Sequence, residues 1–583
     1  SHAEPAAGSR SAGVAGTDSA TVANIGAPAN GTWEMQAADY ANTRYAPLDQ
    51  IDTANVQRLQ LAWSFATGYT HGHEGAPLVD RNTLYIVTPY PNTAYALDLS
   101  AHPPTIRWKF EPHPDPVAIG KACCDIVNRG WVLADGELIY NLLDAHTVAV
   151  DVRTGKEVWR TAMADVTDGV TMTMAPVVVN GKVFVGNSGG EMGVQGWIAA
   201  LAVGTGKELW RAYSTGPDSM VRIGSHYQPF YAWLKGRDVG ATSWPSDAWK
   251  HGAGAVWGWI SYDPALNLIY YGTSNPGPWN QAQRQGDNLF TSSVLARNPD
   301  TGELYWAYSF TPHDQWDYDG VNEDILVDLP IHGRVRHALV HFNRNGFAYT
   351  IDRATGEVLI AEPFGYQNWA KRIDLATGRP DVVAEKTTHP NEWTYQVCPP
   401  DIGVKDQQPA AYSPRTRLFY VPTHHMCMDY RAEPASYIAG TPYWNTHVKR
   451  NPAPGKDSTG HEYRGELIAW DAATGHKVWG ITDKFPVYSG VLTTGGDLVF
   501  YGTVGGLFRA INARTGRILW QRKLGSGIIG APMTFLDPDG KQYVAILAGV
   551  GGAAGVVADI PGYPAEGGTL YVFALPPLPA EQE

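Results

Sequence analysis

Ala469-Trp470-Asp471-Ala472-Ala473-Thr474-Gly475-His476-Lys477-Val478-Trp479 holds the pattern that decides the fold: a small residue, an Asp, then Thr-Gly, then Trp four positions after the Gly. It recurs as Ala149-Val150-Asp151 to Thr154-Gly155 and Trp159, as Ala200 to Thr205-Gly206 and Trp210, and as Ala296 to Thr301-Gly302 and Trp306. A further copy runs from Ala510-Ile511-Asn512 to Thr515-Gly516 and Trp520. Two copies are degraded: Thr350-Ile351-Asp352 to Thr355-Gly356 carries Ile360 at the Trp position, and Ala96-Leu97-Asp98 reaches Trp108 through a longer turn. Each copy reads as a β-hairpin, with an alternating strand, a tight turn in which Gly takes the positive φ, and a return strand bearing a large aromatic.

A lone hairpin cannot bury its faces, so the copies must stack. Most gaps between successive Trp positions, from Trp63 to Trp520, are 41 to 54 residues. That is the length of a four-stranded propeller blade. The wide gaps of 96 and 119 residues mark insertions, at about 211–295 and 361–468. Trp63 starts the series without a repeat head, and Thr569-Leu570-Tyr571-Val572-Phe573-Ala574 ends it with a head and no Trp. The two halves complete each other if first and last strands share a blade, which removes the exposed sheet edges. The expected fold is all-β: an eight-bladed β-propeller with Trp-docking repeats and long inserted loops, forming one domain over residues 31–583.

Composition agrees, with 63 Gly, 41 Pro, 21 Trp and 30 Tyr but only 17% charged residues in a chain of 583. A net charge of −13 argues against nucleic acid as a partner. No apolar run reaches the length of a membrane span. Residues 1–30 are rich in Ala, Gly, Ser and Thr and read as a disordered tail left by processing or cloning, outside the fold.

Four cysteines allow two bridges. Cys123 and Cys124 are adjacent, which suits either two buried thiols or a cramped disulfide kept for its stiffness. Cys398 and Cys427 flank the strand-like run Arg417-Leu418-Phe419-Tyr420-Val421 and are the second candidate pair. No CxxC or CxxCH is present, which disfavours zinc ribbons, thioredoxin chemistry and c-type haem. An even count favours an oxidising compartment, with four reduced thiols as the alternative.

Several longer motifs carry a resemblance. They are Gly72-His73-Glu74-Gly75-Ala76-Pro77-Leu78, Ala122-Cys123-Cys124-Asp125 to Arg129, Ser188-Gly189-Gly190-Glu191, Trp257-Gly258-Trp259, Gly272-Thr273-Ser274-Asn275 and Thr311-Pro312-His313-Asp314-Gln315-Trp316-Asp317-Tyr318-Asp319-Gly320. From about Trp33 onward the chain resembles the alcohol dehydrogenases that depend on pyrroloquinoline quinone (PQQ), relatives of methanol dehydrogenase. The resemblance implies a PQQ-dependent enzyme that oxidises an alcohol by hydride transfer. It further implies a Cys123–Cys124 disulfide on one face of the quinone and Trp257 on the other, two flat surfaces for a flat tricycle.

Carried over by position, Glu191, Asn275 and Asp317 are expected cation ligands, oxygen donors that select hard ions. Asp317 is also the expected catalytic base, with Glu191 as the competing choice. Asp319 stands where lanthanide-dependent members have Asp, and one more anion suits a trivalent ion; the resemblance therefore implies a lanthanide-capable site, with Ca²⁺ as the alternative and a solvated Asp319 as the plain reading. Glu74, Arg129, Thr173, Ser188, Gly189, Gly190 and Arg344 fall at cofactor-contact positions, with Arg344 polarising the quinone oxygens. Ala255 and Asp406 depart from the family's usual Thr and Asn; Asp406 adds an anion that needs Lys405, Arg344 or a proton to offset it.

Tyr488 and Val550 stand where the family commonly has Trp and are expected to line an enlarged substrate pocket, so a bulky primary or secondary alcohol is expected rather than methanol. The insertions carry Trp233, Trp244, Trp249, Trp369, Trp393 and Trp444 and are expected to roof it. Electrons are expected to leave to a separate soluble acceptor such as a cytochrome c, in the periplasm, the signal peptide already removed. A non-catalytic propeller scaffold for protein binding is the alternative; it needs neither the cysteine pair nor the Asp317-Tyr318-Asp319 cluster.

Overall fold

The structure is a computed structural model and describes residues 26–578 except 71, 557, 559 and 566. Eight sheets of four antiparallel strands follow one another, one of them extended by the short parallel strand Tyr45–Ala46. Inner strands of successive sheets touch: Leu78–Asp80 lies against Trp131–Ala134, which lies against Val177–Val179. Middle strands are covered on both faces by neighbouring sheets and are mostly apolar, as in Leu498–Gly502, where every residue is buried. The outermost strand Gln60–Ala66 alternates exposed and half-buried residues instead.

The repeat works as a docking device. Each Trp position lies on the outermost strand of its sheet, beside a register shift that recurs in all eight sheets. Within the sheet Trp108, Trp159, Trp210, Trp306, Trp479 and Trp520 each pair with an Ala, a small neighbour that leaves room for the indole. The ring then lies on the Thr-Gly turn of the next blade. A Cβ on Gly155 would fall 2.6 Å from Trp108, and one on Gly302 would fall 2.7 Å from Trp210. Both glycines sit at positive φ, so only Gly suits the turn and the contact together. The indole N–H groups of Trp108, Trp210 and Trp306 donate to the carbonyls of Val152, Pro299 and Arg353, which open the turns they cover.

The strand Gln60–Ala66 pairs with Thr569–Ala574, so chain start and chain end complete one sheet. The wide gaps hold blade strands as well as insertions. Ile260–Asp263 and Leu268–Gly272 lie in the first, and Ala411–Ser413 and Leu418–His424 in the second. Around the latter pair, the chain adds the hairpin Ala370–Asp374 with Arg379–Val382 and a sheet of Thr394–Val397, Met426–Ala432 and Thr446–Pro452. Of the expected tail, residues 1–25 lie outside the described residues. Residues 26–30 depart from that expectation: Gly26 N donates to Asp39 Oδ2 at 2.6 Å, Ala27 N donates to the Tyr45 carbonyl, and Ala27 is buried. No helix among the described residues is long and apolar enough to cross a membrane.

Candidate active site

Alternating strand directions bring two kinds of loop to one end of the ring: those entering an inner strand and those joining second to third strands. Glu74, Arg129, Thr173, Trp257, Asp317 and Asp406 all precede inner strands. Ser188 to Glu191, Asn275 and Arg344 occupy second-to-third turns. Residues far apart in the chain therefore converge on one cavity of about 430 Å³. Cys123, Cys124, Glu74, Arg129, Thr173, Ser188, Gly189, Gly190, Glu191, Trp257, Asp317, Asp319, Arg344 and Asp406 line it, as does Ala255. Cys123 is bonded to Cys124, and Cys398 to Cys427.

The loop around Asp317 is held from beneath. Asp314 accepts from the backbone N–H groups of Trp316 at 2.9 Å and Tyr318 at 2.7 Å, and from Ser292 Oγ at 2.8 Å. This turns Asp317 into the left-handed region at φ 65°, which Asp tolerates better than most residues. Arg344 Nη1 then donates to Asp317 Oδ2 at 3.3 Å and to the Asp401 carbonyl at 2.9 Å. Its Nη2 donates to Asp406 Oδ1 at 2.7 Å, while its buried Nε finds no acceptor among the described residues. Lys405 Nζ pairs with Glu323 at 2.7 Å and reaches only the backbone carbonyl of Asp406, at 3.0 Å, so Arg344 is the cation paired with the Asp406 carboxylate.

On the other side, Arg129 Nη1 donates to Thr173 Oγ1 at 2.6 Å, and Thr173 Oγ1 lies 3.1 Å from Ser188 Oγ. Arg129 also pairs with Glu74 at 3.0 Å, with its guanidinium carbon 4.8 Å from the ring centre of Trp257. Burial pushes the Glu74 carboxyl up to about 7, against the pull of Arg129.

Two carboxylates and an amide meet between these groups, and Glu191 lines the same cavity. Asp319 accepts from the Asn275 backbone N–H at 2.7 Å and from Trp257 Nε1 at 3.1 Å. One terminal atom of the Asn275 amide lies 3.0 Å from Asp319 Oδ1 and 3.1 Å from Asp317 Oδ1, and the other lies 3.1 Å from Trp279 Nε1. With the amide oxygen turned inward, oxygen faces oxygen, an arrangement that a cation relieves. Burial raises Glu191 to about 7, with Asp319 adding repulsion; burial likewise raises Asp317, again with repulsion from Asp319, and raises Asp319 against the pull of Arg344 and a hydrogen bond with Asp317. Excess buried anion of this kind fits a hard, highly charged ion. The orphaned Arg344 Nε, the disulfide and Trp257 likewise fit a flat, oxygen-rich cofactor.

Tyr488 and Val550 correct the sequence expectation: neither lines the cavity. Both are 2% exposed and pack with Ile402, Val504 and Ala554 in an apolar cluster. The short helix Gly552–Val556 follows Val550 and brings Ala553 and Val556 to the cavity wall instead. Sequence reading also missed Trp279, Asp401, Ile402 and Arg450, all at the wall. Arg450 clamps Asp401 through Nε at 2.8 Å and Nη2 at 2.5 Å, and this fixes the carbonyl that Arg344 uses. Among the inserted tryptophans Trp444 lines the cavity, while Trp244 and Trp369 are buried in the body.

A ring of blades with a carboxylate-rich, arginine-braced cavity walled by a vicinal disulfide and an indole defines a propeller oxidoreductase with a seat for a planar cofactor. The family model for the β-propeller domain of PQQ-dependent glucose, ethanol and alcohol dehydrogenases matches residues 33–362 and 480–544, and the chain belongs to that family. It is 50% identical over 569 residues to a lanthanide-dependent methanol dehydrogenase of Methylacidiphilum fumariolicum (strain SolV), covering 94% of this chain and 92% of the relative. It is 38% identical over 539 residues to the quinohemoprotein alcohol dehydrogenase ADH-IIG of Pseudomonas putida, covering 90% of this chain and 73% of the relative. Among solved structures, a europium-containing methanol dehydrogenase superposes with a TM-score of 0.91 at 50% identity, covering 94% of this chain and 98% of that one. The chain is an enzyme of this class, which leaves the scaffold alternative without support.

Proposed function

We propose that this alcohol dehydrogenase uses a lanthanide ion, held by Glu191, Asn275, Asp317 and Asp319, and oxidises an alcohol with a carbon body larger than methyl. PQQ, held by Arg129, Thr173, Arg344 and the walls of Cys123–Cys124 and Trp257, supplies the hydride acceptor when bound, and the ion supplies Lewis acidity. Asp317 takes the hydroxyl proton at Oδ2, the oxygen that faces Arg344. Arg344 holds that carboxylate in place and presents its remaining N–H donors to the cavity. The observation that carries the reading is that Asp317 and Asp319 line the same cavity as the cysteine pair, with one terminal atom of the Asn275 amide 3.1 and 3.0 Å from their Oδ1 atoms. The size of the alcohol rests on the apolar wall of Ile402, Val448, Ala553 and Val556, with Ala553 small enough to leave space.

Names of the relatives point to a second reading, methanol itself, and several relatives named for a cytochrome c support a separate cytochrome c as acceptor. Two disulfides and that acceptor suit the periplasm. The test is reconstitution with PQQ and either La³⁺ or Ca²⁺, then dye-linked oxidation across methanol, linear, branched and secondary alcohols. A best rate with methanol removes the size reading and keeps the enzyme; no oxidation of any alcohol removes both.

A further inference from the structure

Trp279 belongs to no expected ligand set, yet its indole is fixed against one. It is 6% exposed, packs edge-on to Trp444 at 5.5 Å, and its carbonyl accepts from Tyr430 Oη and Arg284 Nη2. Its Nε1 lies 3.1 Å from the outer terminal atom of the Asn275 amide. An indole N–H only donates, so that outer atom is best an oxygen. The inner atom, between two carboxylates, is then the NH₂ group, donating to Asp319 Oδ1 and Asp317 Oδ1. Both ends of the amide agree on one orientation, and it is the orientation in which Asn275 cannot bind a cation.

We propose that Trp279 is a positioning residue that holds the Asn275 amide turned away from the cation seat until an ion rotates it. Once Oδ1 faces inward, the Trp279 N–H meets the amide NH₂, donor against donor, and the NH₂ keeps only the Pro276 carbonyl at 3.3 Å. Every ion therefore spends part of its binding energy on the rotation. The proposal rests on the reading of Asn275 as a ligand.

Removing the indole N–H should tighten ion binding, not loosen it, by about fivefold, the worth of one hydrogen bond. Because the cost lies in the ion-free protein, the factor should be equal for ions of different charge. The experiment titrates the metal-stripped, PQQ-reconstituted chain with Eu³⁺ and with Ca²⁺ by calorimetry. Trp279→Phe and Trp279→Met are compared with the unaltered protein, since the two replacements differ in shape and share only the loss of the N–H. Equal tightening toward both ions by either folded variant supports the proposal. Unchanged or weakened binding overturns it, and so does tightening toward one ion alone, which marks a reshaped site. Asn275→Ala separates the underlying reading: unchanged affinity there removes Asn275 as a ligand and the proposal with it, whereas weakened affinity without tightening in the Trp279 variants overturns the proposal alone.

Discussion

Arg344 and Asp406 are joined by a buried 2.7 Å hydrogen bond from Nη2 to Oδ1, on the same guanidinium whose Nη1 reaches Asp317 at 3.3 Å. Asp406 thus fixes the arginine and also adds negative charge that raises the proton affinity of Asp319. Asp406→Asn keeps an acceptor and removes the charge. The acid limb of the pH–rate profile should move to lower pH, because a neighbouring anion is gone and Arg344 is left to the remaining carboxylates. A limb that does not move would show that Asp406 is electrostatically silent.

Asp317→Asn should lower kcat/KM by about 10² to 10⁴, the usual worth of a positioned base. The loss should persist at saturating ion, since the variant keeps an oxygen for coordination but not the proton acceptor. Full rescue by excess ion would assign Asp317 to coordination alone.

Asp319→Ala removes one anion from the cluster. Activation by La³⁺ should be lost while Ca²⁺ activation survives, because the trivalent ion depends more on the fourth negative or polar oxygen. Equal loss with both ions would defeat the lanthanide reading.

Cation binding should also depend on pH with a definite sign. Burial holds Glu191 at about 7 and raises Asp317 and Asp319, so the ion-free site carries protons that a cation must displace. Affinity should rise as pH climbs from 5 toward 7, with proton release on binding that shrinks above that pH. Calorimetry in buffers of different ionisation enthalpy measures both; a pH-independent affinity would contradict the buried-acid picture.

Cys123→Ala with Cys124→Ala opens one wall of the cavity. PQQ should dissociate faster on dilution, followed by its absorbance, while the β-sheet circular dichroism and the melting temperature change little, since neither residue lies in a blade strand. Loss of the fold instead would make the bridge structural.

The ring was legible because its repeat is local: Ala, Thr-Gly and Trp act within one hairpin and its neighbour, and even Ile360 keeps the position, lying under Gly475 as Trp306 lies under Gly356. Motif context marked Asp317, Asp319 and Arg344, but composition could not show that Asp317 sits at positive φ over Asp314. Val550 was misplaced because it and Ala553 are three positions apart on a stretch with no periodicity, and only the turn into helix Gly552–Val556 decides which faces inward. Asp401 and Arg450 stayed hidden because each pairs with a residue on another segment of the chain, 49 residues away.

The seam between Gln60–Ala66 and Thr569–Ala574 joins residues separated by nearly the whole chain. The circle cannot shut until Thr569–Ala574 has been made, long after its partner strand, and pairing over such a separation is slow. The cavity draws its walls from Glu74 through Val556, and takes its final shape only after that closure. Cofactor and ion can therefore be fully seated only after the seam has closed, and the interval before it is when the unpaired first strand is most open to pairing with another molecule.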